Sequence, residues 1–545
     1  MSRARADLLI EHARPWSDGA PVEDADAILI AEGRIVAVGA HAPLAALAGP
    51  ATPRLDARGG TVTPGFTDAH IHLVSWARSR GRLELRHCAT RADALAEVAA
   101  YASTHPGLAV IEGRGWDANG WSEPPDRAAL DRVTGGRPAL LHSHDFHALW
   151  VNSAALARAG VTRATADPPG GILERDAAGE PNGVAREHAV RLFAGVLPVE
   201  DAAADRARVH AAIGDLHRHG ITAVHDFEAA AEHRLLRAIA TDAAGPRVRV
   251  LMHVAHAGLD HALGLGLASG TGDDTFRVGA LKLFADGTLG SQTAAMIEPY
   301  EGSGGRGLDL IAPAELATVV ARAVAGGLSV AIHAIGDRAV RSALDAFAGA
   351  GPALAALPLA PRIEHVQLLD PADLPRFASH GVVASMQPIH CTSDIDIALR
   401  HWGGRSERAY PWRALLDSGA RLAFGSDAPV ETVDTAAGLH AAVTRRRADG
   451  TPSAGFMPAQ RIGLDAALAA YTSEPARLAG SWPRLGRLAP GALADVAVWG
   501  TDLHRLPAER LAEARVRATI LGGAIVFDAD HAAAPAAPAL AGGAR

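Results

Sequence analysis

Short apolar runs alternate with amphipathic stretches through the middle of the chain. Eight segments read as strands: GFTDAHIHL, GITAVHDF, RVRVLMHV, GALKLFADG, LSVAIHAIGD, RIEHVQLL, VVASMQP and RLAFGSD. Between them lie segments such as PAELATVVARAVAGG, whose apolar positions recur at helical spacing and which glycine terminates. Strands separated by crossover helices predict a parallel sheet. Eight such units predict an α/β fold, a closed TIM-like (β/α)8 barrel over residues 64–484. An open doubly wound sheet would fit the alternation but has no need of that number.

The two ends have a different pattern. AILIAEGRIVAVG is two β-rich runs around Glu32-Gly33, a hairpin signal, and GALADVAVWG and VRATILGGAIVFD repeat the style near the far end. Residues 1–63 and 485–530 are therefore expected to build one composite β-sandwich. One interval breaks the barrel rhythm: about 150 residues separate His72 from Ile221, far more than a crossover requires. An insertion subdomain is expected at about 80–200, carrying GRGWDANGW, LLHSHDFHALWVNSAAL and PPGGILERDAAGEPNGVARE. It reads as a lid or substrate-lining unit, with structural embellishment as the plainer alternative. The tail 531–545, HAAAPAAPALAGGAR, is low in complexity and expected to be disordered.

Composition narrows the partners. The 545 residues are 48% hydrophobic and 21% charged, with a net charge of −8 and the two signs interspersed. No basic groove or aromatic–basic interleaving points to nucleic acid, and the Arg445–Arg447 run reads as a solvated helix face. A small-molecule substrate is the expected partner, and a homo-oligomer is compatible with the pattern. The N-terminus lacks an apolar core of signal-peptide length, and no run of 18 apolar residues predicts a membrane span. Two distant cysteines, Cys88 and Cys391, give no disulfide framework and suit a reducing cytoplasm.

Catalytic groups of a parallel barrel gather at the C-terminal ends of its strands. The polar residues expected there are His70, His72, Lys282, His333, His365 and Asp427. Alternation puts residues i and i+2 on one face, so His70 and His72 can both offer imidazole nitrogens to one metal ion. A single strand-end histidine is more often a satisfied core group; four at the ends of three strands argue for ligands. Asp427 could cap the next helix, or beside a cation could serve as ligand and proton acceptor. Lys282 is the one lysine among 52 basic residues. Burial near cationic groups lowers a lysine's pKa, and a neutral amine can add carbon dioxide to become a carboxylate-like carbamate, whereas arginine stays protonated.

As an ordered set, GFTDAHIHL, GALKLFADGTLGS, VAIHAIGDRAV, RIEHVQLL, ASMQP, AFGSDAPVE and YTSEPARLAG…LGRLAPGALADVAVW resemble the amidohydrolase superfamily. They look like its type 3 branch, which contains N-substituted formamide deformylases. The resemblance runs to about residue 528 and includes the insertion motifs. It implies a barrel with a composite sandwich, and His70, His72, His333 and His365 as ligands of one or two divalent ions, zinc first. It also implies Lys282 as a bridging N6-carboxylysine and Asp427 as ligand and catalytic aspartate. One departure is HDFH, where the branch would have a glycine before His147. Trp116, Trp121, His147 and Asp286 are candidate substrate contacts. The implied reaction is hydrolysis of a carbon–nitrogen bond in a small amide or N-substituted formamide by activated water. A metal-dependent deaminase of an aminated heterocycle is the first alternative. The adenosine type would place a glutamate where HAIGD has Gly336 and Asp337. A non-catalytic relative is the second, although such proteins usually lose the ligands that are all present here.

Overall fold

The computed structural model describes residues 6–197, 201–242 and 245–531. At its centre the eight expected strands form one parallel sheet in chain order: β1 (Phe66–Ile71), β2 (Ile221–Asp226), β3 (Arg249–Ala255), β4 (Phe276–Phe284), β5 (Val330–Ala334), β6 (Arg362–His365), β7 (Val383–Met386) and β8 (Arg421–Phe424). The sheet closes through the segment after β8. There the Asp427 N–H donates to His70 O at 2.7 Å and the His72 N–H to Ala428 O at 2.9 Å. Gly425 makes that approach possible, because a Cβ at this position would lie 2.3 Å from the His70 nitrogen. Asp68 pins the same seam, accepting the Ser426 N–H on Oδ1 and the Ser426 hydroxyl on Oδ2.

The strands read as nearly continuous apolar runs because crossover helices cover the barrel from outside. The helix Pro313–Ala325, for instance, buries Leu316, Val320, Ala323 and Val324 and leaves its polar face to solvent. Inside the barrel the filling is partly polar. The guanidinium of Arg362, fully buried, donates to Glu364, Ala69 O and Ser385 Oγ and meets His225 Nδ1 at 3.0 Å.

The chain ends supply two further sheets. One has four strands, Arg34–Gly39, Ala27–Ala31, Leu8–Glu11 and Arg54–Asp56. The other has six and mixes the termini: Ala497 of Val496–Trp499 pairs antiparallel with Thr63 of Thr61–Pro64. Ile10, Ile30, Val62, Val496 and Ile520 from both sheets share one buried apolar cluster.

Between β1 and β2 lies a third, six-stranded sheet running from Leu83–Glu84 to Pro181–Glu187 and Gly171–Arg175. Alternation sends Leu140 and Leu141 to opposite faces, into two separate apolar clusters, so this segment carries its own core.

One expectation meets a different outcome. Arg445 is not on a solvated face: it is fully buried in a left-handed turn (φ 55°) after the helix Thr435–Thr444. Its guanidinium donates to the carbonyls of Phe456, Tyr410 and Ala409 and lies 4.5 Å from the Trp412 ring centre. Of the tail 531–545, residues 532–545 lie outside the described residues. No helix among the described residues is long and apolar enough to cross a membrane.

Candidate active site

Asp427 stands at the turn after β8 with φ 57°, a left-handed conformation that aspartate tolerates better than most residues. It does not cap the following helix, whose N-cap is Asp434. Its carboxylate faces imidazoles on two sides. Oδ1 lies 3.4 Å from His70 Nε2 and 3.7 Å from His72 Nε2, while Oδ2 lies 4.0 Å from His365 Nδ1 and 3.8 Å from His390 Nε2. His70 is in β1 and His72 just beyond it, with ring centres 5.7 Å apart. The rings of His70 and His333 flank His365 at 5.0 and 4.6 Å.

Three of these rings have one nitrogen held by an acceptor, which fixes the tautomer and leaves the other nitrogen free. His70 Nδ1 donates to Glu364 Oε2 at 2.7 Å, His333 Nε2 to Gly287 O at 3.0 Å and His365 Nδ1 to Gln387 Oε1 at 2.8 Å. Burial, then the charge of Lys282, holds His72 at about 3 and His70 well below its ordinary value; burial does the same for His333 and His365. All four are therefore neutral imidazoles with lone pairs to offer.

Lys282 projects from β4 into the same space. Its Nζ is buried and has no hydrogen-bond partner, lying 4.4 and 4.7 Å from the ring centres of Phe227 and Phe284. Burial lowers its pKa to about 8, against the opposing pull of Glu364 and Asp427. Burial raises Asp427 to about 7, moderated by the charges of Lys282 and His147.

These groups form the floor of a cavity of about 650 Å³. The insertion supplies much of its wall, including Trp116, Trp121 and His147. Trp116 also packs edge-on against Trp150 and donates its Nε1–H to Leu141 O, so only part of the ring serves the cavity. His147 Nδ1 donates to Glu187 Oε2 at 2.7 Å, and its ring centre is 5.5 Å from that of His333. Asp286 is the exception among the expected substrate contacts. It is fully buried behind the wall, where the N–H groups of Ala295, Ile335 and Gly336 occupy both its oxygens. These hydrogen bonds tie together the turns that follow β4 and β5.

Sequence reasoning passed over Glu364, Gln387, Glu187 and His390. Glu364 left a trace, since Arg362 and Glu364 are two charges at i and i+2 in a buried strand. His390 follows ASMQP directly, but a lone histidine after a strand carries no signal of its own. Only the fold brings it beside Asp427.

The sequence matches the Amidohydrolase family over residues 55–527. It is 30% identical to the putative amidohydrolase YtcJ of Bacillus subtilis (strain 168) over 515 residues, covering 92% of this chain and 96% of that protein. It is 28% identical to the N-substituted formamide deformylase of Arthrobacter pascens, covering 96% and 98% respectively. The fold superposes on an uncharacterized metal-dependent hydrolase from Pyrococcus horikoshii OT3 with a TM-score of 0.70 and 26% identity, over 89% of this chain and 96% of that one. The chain belongs to the amidohydrolase family.

Proposed function

We propose that this protein is a metal-dependent hydrolase that cleaves the carbon–nitrogen bond of a small amide, an N-substituted formamide being the favoured class. One observation carries the reading. A buried amine without a hydrogen-bond partner, Lys282 Nζ, shares a pocket with four neutral imidazoles and a carboxylate. Leaving the imidazole and carboxylate lone pairs unpaired is costly, and a divalent cation accepts them together, along with that of Lys282 once it is a neutral amine or a carbamate. The second-layer hydrogen bonds on His70, His333 and His365 are those that ligating histidines make.

His70, His72, His333, His365, Lys282 and Asp427 would hold one or two ions, and the nitrogen-rich set suits zinc. Such an ion supplies Lewis acidity that makes water nucleophilic near neutral pH. The protein residues handle the protons. As the water oxygen adds to the carbonyl carbon, Asp427 accepts the water proton and the π pair moves onto the carbonyl oxygen. When the tetrahedral species collapses, the C–N bond breaks and Asp427 returns that proton to the departing nitrogen. Lys282 has the depressed pKa needed to react with carbon dioxide: an N–C bond forms, the amine proton leaves to solvent, and the product is an anionic carbamate. The likeness to the Arthrobacter pascens deformylase, nearly full-length in both chains, supports the formamide class. Cys88 and Cys391 are both free and buried, which suits the cytoplasm.

The test is Asp427→Asn, assayed on a panel of N-formyl amines and simple amides with elemental analysis of the purified protein. The variant should keep its ion and lose turnover. Full activity would remove the proton-carrying role. Ammonia released from an aminated heterocycle, with no amide turned over, would make the protein a deaminase instead.

A further inference from the structure

His390 stands at the cavity floor with both ring nitrogens unpaired. It lies in the first turn of the helix Pro388–Ser393, which begins directly after β7. The residue is only 7% exposed, it lines the cavity, and neither ring nitrogen has a hydrogen-bond partner. An unpaired buried polar atom is costly, so such a ring persists where a ligand completes it.

The neighbouring groups cannot complete it. His390 stacks on His365 with ring centres 5.9 Å apart, which leaves the in-plane nitrogens free. Its Nε2 is 3.8 Å from Asp427 Oδ2, beyond hydrogen-bond range. The nearby Glu431 carboxylate is already taken up by Arg86, His144 and Ser393. A cation shared by His365, His390 and Asp427 is conceivable, since their ligand atoms lie within 4.8 Å of one another. However, the His365 nitrogen facing that side is Nδ1, which donates to Gln387 Oε1 and has no lone pair to give. The unpaired nitrogens of His390 therefore suit an organic ligand better than an ion.

We propose that His390 is a catalytic residue that touches the substrate, donating an N–H to the oxygen of the scissile carbonyl. The inference rests on the amide-hydrolase reading and deepens it. Every protonation state of imidazole keeps at least one N–H, so the role requires no particular charge. Negative charge grows on that oxygen as water adds, and a fixed donor in a partly dry cavity acts most strongly there. Asp427, an acceptor, serves the water and the nitrogen, which leaves the oxygen to a donor on the Oδ2 side.

The experiment compares wild type, His390→Ala and His390→Asn on N-benzylformamide and N-benzylthioformamide, with ion content measured on each protein. His390→Ala should lose about 10²–10³-fold in kcat on the formamide with little change in KM. It should keep the wild-type ion content. His390→Asn, which retains an N–H, should recover at least about tenfold of the loss. The penalty should shrink on the thioformamide, because sulfur accepts hydrogen bonds weakly; a merely structural role would cost both substrates equally. Loss of an ion in either variant would make His390 a ligand and overturn the proposal, as would an equal penalty on both substrates. If His390→Ala does not fold, the substrate ratio of His390→Asn decides. A wild type that hydrolyses no amide overturns the functional reading and this inference together, whereas an active wild type with indifferent variants overturns the inference alone.

Discussion

Glu364 Oε2 accepts the Nδ1–H of His70 at 2.7 Å while Arg362 grips the same carboxylate from below. All three side chains are buried, so the tautomer of His70 is set by a charge that solvent does not screen. Glu364→Gln should weaken divalent-ion affinity about 10–100-fold, measured by competition with a chelator. It also leaves the Arg362 guanidinium without its counter-charge, which should cost about 3–5 kcal/mol in denaturant unfolding. Unchanged ion affinity would show that His70 needs no such orientation.

Lys282→Arg keeps a positive charge but cannot form a carbamate. The expected result is a lower ion content and a large loss of turnover, with partial rescue by millimolar short carboxylic acids that can occupy the carbamate's place. Reconstitution of ion-free wild type should also speed up with added bicarbonate. Normal ion content and rate in Lys282→Arg would end the bridging proposal.

The barrel was legible because its strands, covered by helices, cannot avoid long apolar runs, and because polar residues at their ends stand out against that background. The same logic exposed His70, His72, Lys282, His333, His365 and Asp427. It failed where local chain geometry overrides alternation. Strict alternation would turn His365 away from Glu364, yet both face the interior, because His365 takes φ 76° and Val366 φ 44° at the end of β6. It failed again where a polar side chain is satisfied by backbone, as with Asp286, since sequence does not reveal which N–H groups a carboxylate will meet. His390, in a short helix after β7, and the His147–Glu187 pair of the insertion depend on how segments outside the barrel strands are placed, which periodicity does not encode.

Arg445 shows the same limit at the level of stability. Three arginines in a row suggest a wet surface, but this one hydrogen-bonds three carbonyls under the Trp412 ring. Arg445→Ala would strand those carbonyls and remove a stacked side chain. The expected cost is about 3 kcal/mol or more by chemical unfolding, against less than about 0.5 kcal/mol for a truly exposed arginine.

Glu228 links the segment after β2 to the helix that follows His72, accepting the N–H and hydroxyl of Ser75. Burial, with the nearby Glu232 charge adding to it, raises its pKa from an ordinary 4.5 to about 7. Below pH 4.5 the carboxyl is protonated in folded and unfolded chains alike, and its contribution to stability is fully present. As pH climbs, the unfolded chain loses this proton first, so stability falls until the folded group also ionises near pH 7. Over that window the slope should approach one proton, about 1.4 kcal/mol per pH unit. Asp226, raised in the same direction by burial and by Glu228, adds a slope of its own. Glu228→Gln is neutral at every pH and can still accept from Ser75, so its stability curve between pH 4.5 and 7 should be flatter than wild type by about one proton. Denaturant unfolding at intervals across that range measures the difference directly. Parallel curves would mean that Glu228 stays ionised in the folded protein despite its burial.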